Sequence, residues 1–275
     1  VPTPHLITSP ANPRLKALAA LRRRRTREQE RRTLVEGYDE LGLALEAGVV
    51  PQTLFYCPEL MGGAARADDL VARVGALGGE LVRLSRPAFE KAAYREGPDG
   101  VLAVVPTVDR RCEDLTAGLP DAPLVLVCQA VEKPGNLGAM LRTADAAGVD
   151  AVVAADPVTD WGNPNTVRAS KGTVFSVPVA SDPTAVTLAW LRERGIPLVA
   201  ATPDTEVTHT EVDYRGPVAI VVGTEKTGLT AEVLTAAQHR VRIPMVGLAN
   251  SLNVATSAAV IVYEAVRQRA ADPRP

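Results

Sequence analysis

Four apolar runs in the second half of the chain, Pro123–Cys128, Ala151–Ala155, Pro197–Ala201 and Val218–Val222, constrain the fold more than any other feature. Each has the length of a strand and is apolar at consecutive positions, so both of its faces must be buried. Between and after them the spacing predicts a helix beginning near Asn136, helices Pro183–Arg194, Thr230–Ala237 and Ser251–Arg269, and further strands Val174–Val179 and Val241–Ile243. Strands alternating with helices give an α/β fold whose parallel sheet is covered on both faces, and such sheets bind ligands where loops leave the carboxyl ends of the strands.

The first half alternates on a smaller scale. Helix Glu36–Ala47, strand Thr53–Cys57, helix Ala64–Leu77, strand Glu80–Leu84, helix Pro87–Ala93 and strand Val101–Val105 are expected to form a small α/β sandwich. The stretch after it holds three prolines, a glycine and no apolar period, which reads as a linker. The expected organisation is therefore 1–107, a linker at 108–122, and 123–275. With aromatic residues at 4% and hydrophobic residues at 46%, the cores must be built from Ala, Val and Leu.

The 30 Lys+Arg and 32 Asp+Glu nearly cancel, but they are unevenly spread. From Asn12 to Arg32, nine cations face two glutamates, so this segment carries +7 and the remainder −9. Leu15, Leu18, Ala19 and Leu21 fall near helical spacing and predict one amphipathic helix whose far end bears arginine on all sides. Such clustered guanidiniums, Arg22, Arg23, Arg24 and Arg25 above all, suit the phosphate backbone of a nucleic acid; the competing reading is a solvated helix end.

Cys57, Cys112 and Cys128 are an odd set without CxxC spacing and the three histidines are scattered, which argues against disulfides and a zinc site. No run of about 18 apolar residues occurs and the amino terminus lacks a signal-peptide pattern, so a reducing cytosol is the expected setting.

Three loops at expected strand ends carry candidate chemistry. In the first, Asn136-Leu-Gly-Ala-Met-Leu-Arg142-Thr-Ala, Asn136 suits a helix N-cap and Arg142 lies six residues on, roughly on the same side. The second, Gly223-Thr-Glu225-Lys-Thr-Gly228-Leu, has Leu229 where a phosphate-cradling loop requires lysine. In the third, Ile243-Pro-Met…Asn-Ser251-Leu-Asn253-Val, Ser251 or Asn250 suits a helix cap, while Asn253, expected inside the first turn, is a mediocre helix former placed to hold something. No G-x-G-x-x-G occurs, which disfavours a classical dinucleotide fold.

In this order the three loops resemble the signature motifs of the SpoU (TrmH) RNA 2′-O-ribose methyltransferases, over nearly all of Pro123–Arg269. The arginine-rich amino-terminal region and the length resemble, within that family, enzymes acting on 23S rRNA that confer resistance to antibiotics such as avilamycin. The resemblance implies a deep trefoil knot in the catalytic half, a homodimer, and S-adenosylmethionine in a pocket lined by the knotted loops. Gly223, Ile243 and Leu252 match cofactor-contacting positions, with Thr202 and Met245 as neighbours. Arg142 matches the catalytic arginine, and Asn136, Glu225, Ser251 and Asn253 complete the implied catalytic set. Arg168, in Val-Arg-Ala-Ser-Lys-Gly, matches another family position and is expected to contact phosphate from the partner subunit, the competing reading of Arg168 and Lys171 being plain surface charge. The first half resembles the RNA-binding domain often fused to this catalytic domain, although Pro98-Asp-Gly100 stands where the family has Gln-Gly. The implied substrate is a ribose hydroxyl of 23S rRNA, with a uridine as the family-level expectation; a tRNA methyltransferase, a small-molecule methyltransferase and a non-catalytic RNA-binding factor are the rivals.

Overall fold

The computed structural model describes residues 5–62, 65–224 and 226–271. Its strands are β1 (His5–Ile7), β2 (Arg32–Glu36), β3 (Thr53–Tyr56), β4 (Glu80–Leu84), β5 (Val101–Pro106), β6 (Leu124–Gln129), β7 (Ala151–Ala155), β8 (Val179–Asp182), β9 (Leu198–Ala201), β10 (Val218–Val222) and β11 (His239–Val241). Its helices are α1 (Pro13–Ala20), α2 (Arg24–Glu30), α3 (Tyr38–Glu46), α4 (Pro58–Met61), α5 (Ala65–Ala76), α6 (Arg86–Ala92), α7 (Cys112–Leu115), α8 (Pro134–Ala147), α9 (Pro164–Ala169), α10 (Thr184–Glu193), α11 (Ala231–Ala236) and α12 (Val254–Ala271). No helix among the described residues is long and apolar enough to cross a membrane.

The chain forms two compact units: unit 1 is Val1–Val108 with Asp160–Ser176, and unit 2 is Asp109–Thr159 with Val177–Pro275. The chain thus passes between the units three times. Unit 2 contains a six-stranded sheet, ordered β11-β9-β10-β6-β7-β8, in which every pair is parallel. All residues of β6, β7 and β10 are buried, as their unbroken apolar runs demand. The chain leaves β6 toward β7 on one side and β10 toward β11 on the other. The direction of winding therefore reverses between β6 and β10, and an open parallel sheet receives its ligand beside such a point, at the carboxyl ends of its strands.

Unit 1 holds a mixed sheet, β1-β4-β3-β5-β2, with β5 antiparallel to both of its neighbours. Ile7, Leu15, Leu18, Leu34, Phe55, Val82, Phe89 and Leu102 belong to its core.

Several elements differ from the sequence expectation. The single helix over Asn12–Arg32 is two helices, broken at Leu21–Arg23; Arg31 then adopts a left-handed conformation and Arg32 begins β2. Arg27 is 2% exposed and forms a two-pronged ion pair with Asp160, Nε at 2.9 Å and Nη2 at 2.5 Å, so part of the positive charge is spent internally. The expected linker 108–122 contains α7 and a following 3-10 turn, with Cys112 and Leu115 buried in the core of unit 2. Val174 and Phe175 lie in a 3-10 turn rather than a strand; β8 starts at Val179. The expected strand Val241–Ile243 is shifted toward the amino terminus as β11, and the last helix starts at Val254 rather than Ser251.

Candidate cofactor cleft and its neighbouring hollow

The loop after β10 turns on a glycine. A Cβ built at Gly223 would lie 2.6 Å from the Gly228 carbonyl carbon and 2.8 Å from Leu229 N, so only glycine lets the strand end pass so close to the returning chain. Gly228 N donates to the Thr224 carbonyl at 3.0 Å, and the Thr224 and Thr227 hydroxyls are 2.8 Å apart, which closes the loop. Thr230 then caps α11 through its side chain. Gln129, at the end of β6 and 1% exposed, donates to Thr184 Oγ1 and Thr230 Oγ1 and accepts from Thr230 N. One buried side chain therefore ties the ends of β6 and of the β10 loop together.

Beside this loop lies a cleft of about 370 Å³, within the range of small-molecule sites, about 300–1,000 Å³. Thr202, Gly223, Ile243, Met245 and Leu252, the five residues singled out as cofactor neighbours, all line it, as does Ser251. Apolar side chains of Val222, Leu229, Leu234, Val241 and Ile261 supply walls for a flat ring, and Thr224, Thr227, Asp204 and Asn250 supply polar groups. Lys226 and Arg242 line it too; of the polar lining residues, the sequence did not single out Asp204, Thr224, Lys226, Thr227 or Arg242, although the two threonines and Lys226 stand inside the second motif.

A smaller hollow of about 50 Å³ adjoins the cleft, lined by Val131, Glu132, Lys133 and Asn136, and shares Thr224, Lys226 and Val254 with it. The Lys226 ammonium stands 3.7 Å from the Glu132 carboxylate across it. Asn136 is not the N-cap of α8. Lys133 holds that position, Pro134 fills the first turn, and Asn136 is the third helical residue. Its Oδ1 instead accepts a hydrogen bond from Asn253 Nδ2 at 3.1 Å. Asn253 lies just before α12 rather than within its first turn, and its Oδ1 accepts from Ala255 N at 3.0 Å. It therefore caps the last helix, in place of Ser251 or Asn250, and locks the first motif to the third.

Arg142 lines neither cavity. Six residues turn a helix through about 600°, which puts Arg142 about 120° around from Asn136 and about 9 Å along the axis. The two therefore do not share one face: Leu141 and Ala144 are buried while Arg142 is exposed. Glu225 lies outside the described residues. Cys128 is buried at the end of β6, 3.7 Å from the Met140 sulfur, and burial pushes its thiol up to about 12, so it is no nucleophile.

In unit 1, Arg22, Arg23, Arg24 and Arg25 are exposed. Arg22 Nη2 donates to the Ala92 and Ala93 carbonyls, and Arg24 pairs with Glu28 at 2.7 Å. Arg168 is exposed on α9, in the part of the chain that packs with unit 1. Among the described residues there is no group of three or more His, Cys, Asp or Glu arranged to hold a metal ion.

Residues 123–263 match the SpoU rRNA Methylase family, and residues 12–103 match an MRM3-like substrate binding domain. The chain is 30% identical over 258 residues to the 23S rRNA (guanosine(2553)-2′-O)-methyltransferase RlmP of Bacillus subtilis, covering 94% of this chain and 97% of that one. It is 32% identical over 274 residues to the 23S rRNA (uridine(2479)-2′-O)-methyltransferase of Streptomyces viridochromogenes, covering 92% and 88%. The crystal structure of an AdoMet-bound rRNA methyltransferase from Sinorhizobium meliloti superimposes with a TM-score of 0.87 at 30% identity, over 95% of this chain and 97% of that one.

Proposed function

Because the chain belongs to the SpoU rRNA methylase family, we propose that it transfers a methyl group from S-adenosylmethionine to a ribose 2′-hydroxyl of 23S rRNA. The observation that carries this reading is the meeting of Thr202, Gly223, Ile243, Met245 and Leu252, from separate stretches of the chain, on one cleft whose neighbouring hollow holds Asn136.

The cleft fits the cofactor. Gly223, Thr224 and Gly228 line it, where backbone groups would meet the edge of an adenine, and Leu229, Ile243 and Leu252 offer apolar surface to its faces. Bound there, S-adenosylmethionine supplies a methyl group on a positively charged sulfur, which a ribose 2′-oxygen takes in an in-line displacement that leaves a neutral thioether.

The protein's task is to orient that oxygen and ease the loss of its proton. Arg142 is a poor base, since a guanidinium keeps its proton below about pH 12; its role is to orient the 2′-oxygen and an adjacent phosphate and to stabilise developing negative charge, with the proton passing to water or phosphate. Arg142 reaches the ribose from the exposed side of α8. Asn136 and Asn253, joined by their hydrogen bond, hold the target ribose between the first and third motifs. Ser251 fixes the substrate at the mouth of the cleft, and Glu225 organises the loop that follows β10. Exposed Arg22, Arg23, Arg25 and Arg168 bind the RNA backbone, Arg24 contributing when it leaves Glu28.

The enzyme works in the cytoplasm as a knotted homodimer, and a uridine is the proposed target. The relatives divide on this last point, one being named for a guanosine and the other for a uridine. This fits a catalytic core that handles the ribose common to all nucleotides and leaves base choice to unit 1. Resistance to an antibiotic such as avilamycin is the proposed benefit.

Labelled methyl transfer from S-adenosylmethionine to a 23S rRNA transcript, with tRNA and free nucleosides alongside, tests the reading. Incorporation into the 23S transcript at a single 2′-O position is expected. Incorporation only into tRNA or nucleosides, or none, would overturn it.

A further inference from the structure

Unit 1 presents a second set of cations that the arginine-rich segment alone does not reveal. Arg22 reaches across to α6 and donates to the Ala92 and Ala93 carbonyls at 2.7 and 2.9 Å. The next residue, Tyr94, donates its amide to Glu36 Oε2 at 2.9 Å. Arg95 follows: a Cβ at Gly37 would stand 3.0 Å from its Nη1 and closer still to the Glu40 carboxylate. Glu40 in turn lies 3.7 Å from Lys171 Nζ, and the Lys171 amide donates to the Arg168 carbonyl at 3.0 Å. Residues from α1–α2, from the segment after α6 and from the 160–176 stretch are thus linked through Glu36, Glu40 and Tyr94.

The charges in this cluster are sorted by depth. Glu36 is fully buried and Glu40 is 3% exposed, whereas the Lys171 side chain is 56% exposed and Arg22 and Arg168 are exposed; Arg95 lies between the two levels, 27% exposed and 3.5 Å from the Asp99 carboxylate, which it must leave to meet a phosphate. The Glu40 carboxylate, buried beneath Lys171 and beside Arg95, holds these cationic stems in place, and a polyanion outside meets the cations before it meets the carboxylate. Three of the four cations are arginines, whose forked donors match phosphate oxygens.

We propose that Arg22, Arg95, Arg168 and Lys171 form a single RNA-phosphate-tracking face of unit 1, to which the 160–176 stretch contributes half of the cations. This rests on the reading of the chain as an RNA-modifying enzyme, and it assigns contacts to Arg95 and Lys171. The favoured ligand is RNA rather than an acidic protein, because these residues belong to the unit that contains the substrate-binding-domain match.

The test uses the full-length protein without cofactor, a labelled 23S rRNA transcript, and KCl from 50 to 200 mM. Lys171→Gln and Arg95→Gln are each expected to weaken binding three- to tenfold at 100 mM and to reduce the slope of log K against log salt by about 0.7–0.9. Arg192→Gln, at an exposed position of α10 in unit 2, should change neither. Arg95→Lys should recover most of the slope, which separates lost charge from lost folding. Lys171, more than half exposed, tests the face even where Arg95→Gln unfolds the chain. An unchanged slope in Lys171→Gln would overturn the proposal, as would poly-glutamate competing as well as RNA at equal charge. Methyl transfer with an unaltered slope would remove this face alone, whereas an altered slope without methyl transfer would remove the enzymatic reading and leave the face.

Discussion

At Gly223 the returning backbone of Gly228 and Leu229 leaves no room for even a methyl group, because the contacts are backbone atoms that cannot swing aside. Gly223→Ala should push the 224–228 turn outward, cost about 1–3 kcal/mol in unfolding free energy as an overpacked site does, and weaken S-adenosylmethionine binding at least tenfold by calorimetry. Affinity equal to wild type would show that the turn is not part of the cleft. Arg142→Lys asks a different question, because it keeps the charge and loses the fork. Turnover is expected to fall about 10- to 100-fold, a little less than for loss of a transition-state donor, with cofactor affinity unchanged; equal turnover would remove the orienting role. The sequence made Gly223 and Arg142 visible through their motifs. It did not reveal that Asn253 is a helix cap and the partner of Asn136, since that bond joins residues 117 positions apart.

The break between α1 and α2 shows how an element-scale reading fails. Leucines at helical spacing and good helix-forming arginines predicted one helix, but Arg27 in α2 is drawn inward by Asp160, and its Nη1 also takes the Leu21 and Arg22 carbonyls at 2.9 and 2.8 Å. Those carbonyls are free for it only because the helix stops there. An ion pair with side chains 2% and 15% exposed leaves a buried charge when one partner goes. Asp160→Ala is therefore expected to cost about 3–5 kcal/mol in urea unfolding, while Arg27→Met/Asp160→Leu, which removes both charges, should recover most of it. A loss below about 1 kcal/mol for the single variant would show that the pair is solvated. The buried runs β6, β7 and β10 were legible because burial on both faces leaves an unmistakable composition. By contrast, β1 and β2 were not, being short or charged at their ends, and α7 was hidden among prolines although Cys112 and Leu115 are core residues.

The whole chain does not divide at the place where its composition changes. Residues 1–108 lack α9, which packs on β2, and Thr33 donates its hydroxyl to the Gly162 carbonyl from the later stretch. A fragment of residues 1–108 would expose that surface and strand the Arg27 guanidinium, so it is expected to melt without a cooperative transition by circular dichroism; a sharp transition near that of the intact protein would refute the three-crossing organisation. The pH dependence of the intact protein follows from two carboxyls displaced in opposite directions. Arg267 and Gln268 hold Glu264 down at about 2, so its contribution is present above about pH 4.5 and is lost as pH falls toward 2. Burial raises Glu36 to about 7 from 4.5, so the folded chain holds a proton that the unfolded chain has released. Its contribution is complete below pH 4.5 and is lost as pH rises through 7, by at most roughly 3.5 kcal/mol, since each tenfold gain in proton affinity is worth about 1.4 kcal/mol. Unfolding free energies at pH 5, 6, 7 and 8 should therefore decline in the wild type and flatten in Glu36→Gln, which carries no charge to bury. A decline of the same steepness in that variant would mean that another group releases the proton, and that the Glu36 carboxylate is stabilised in place by the cations above it.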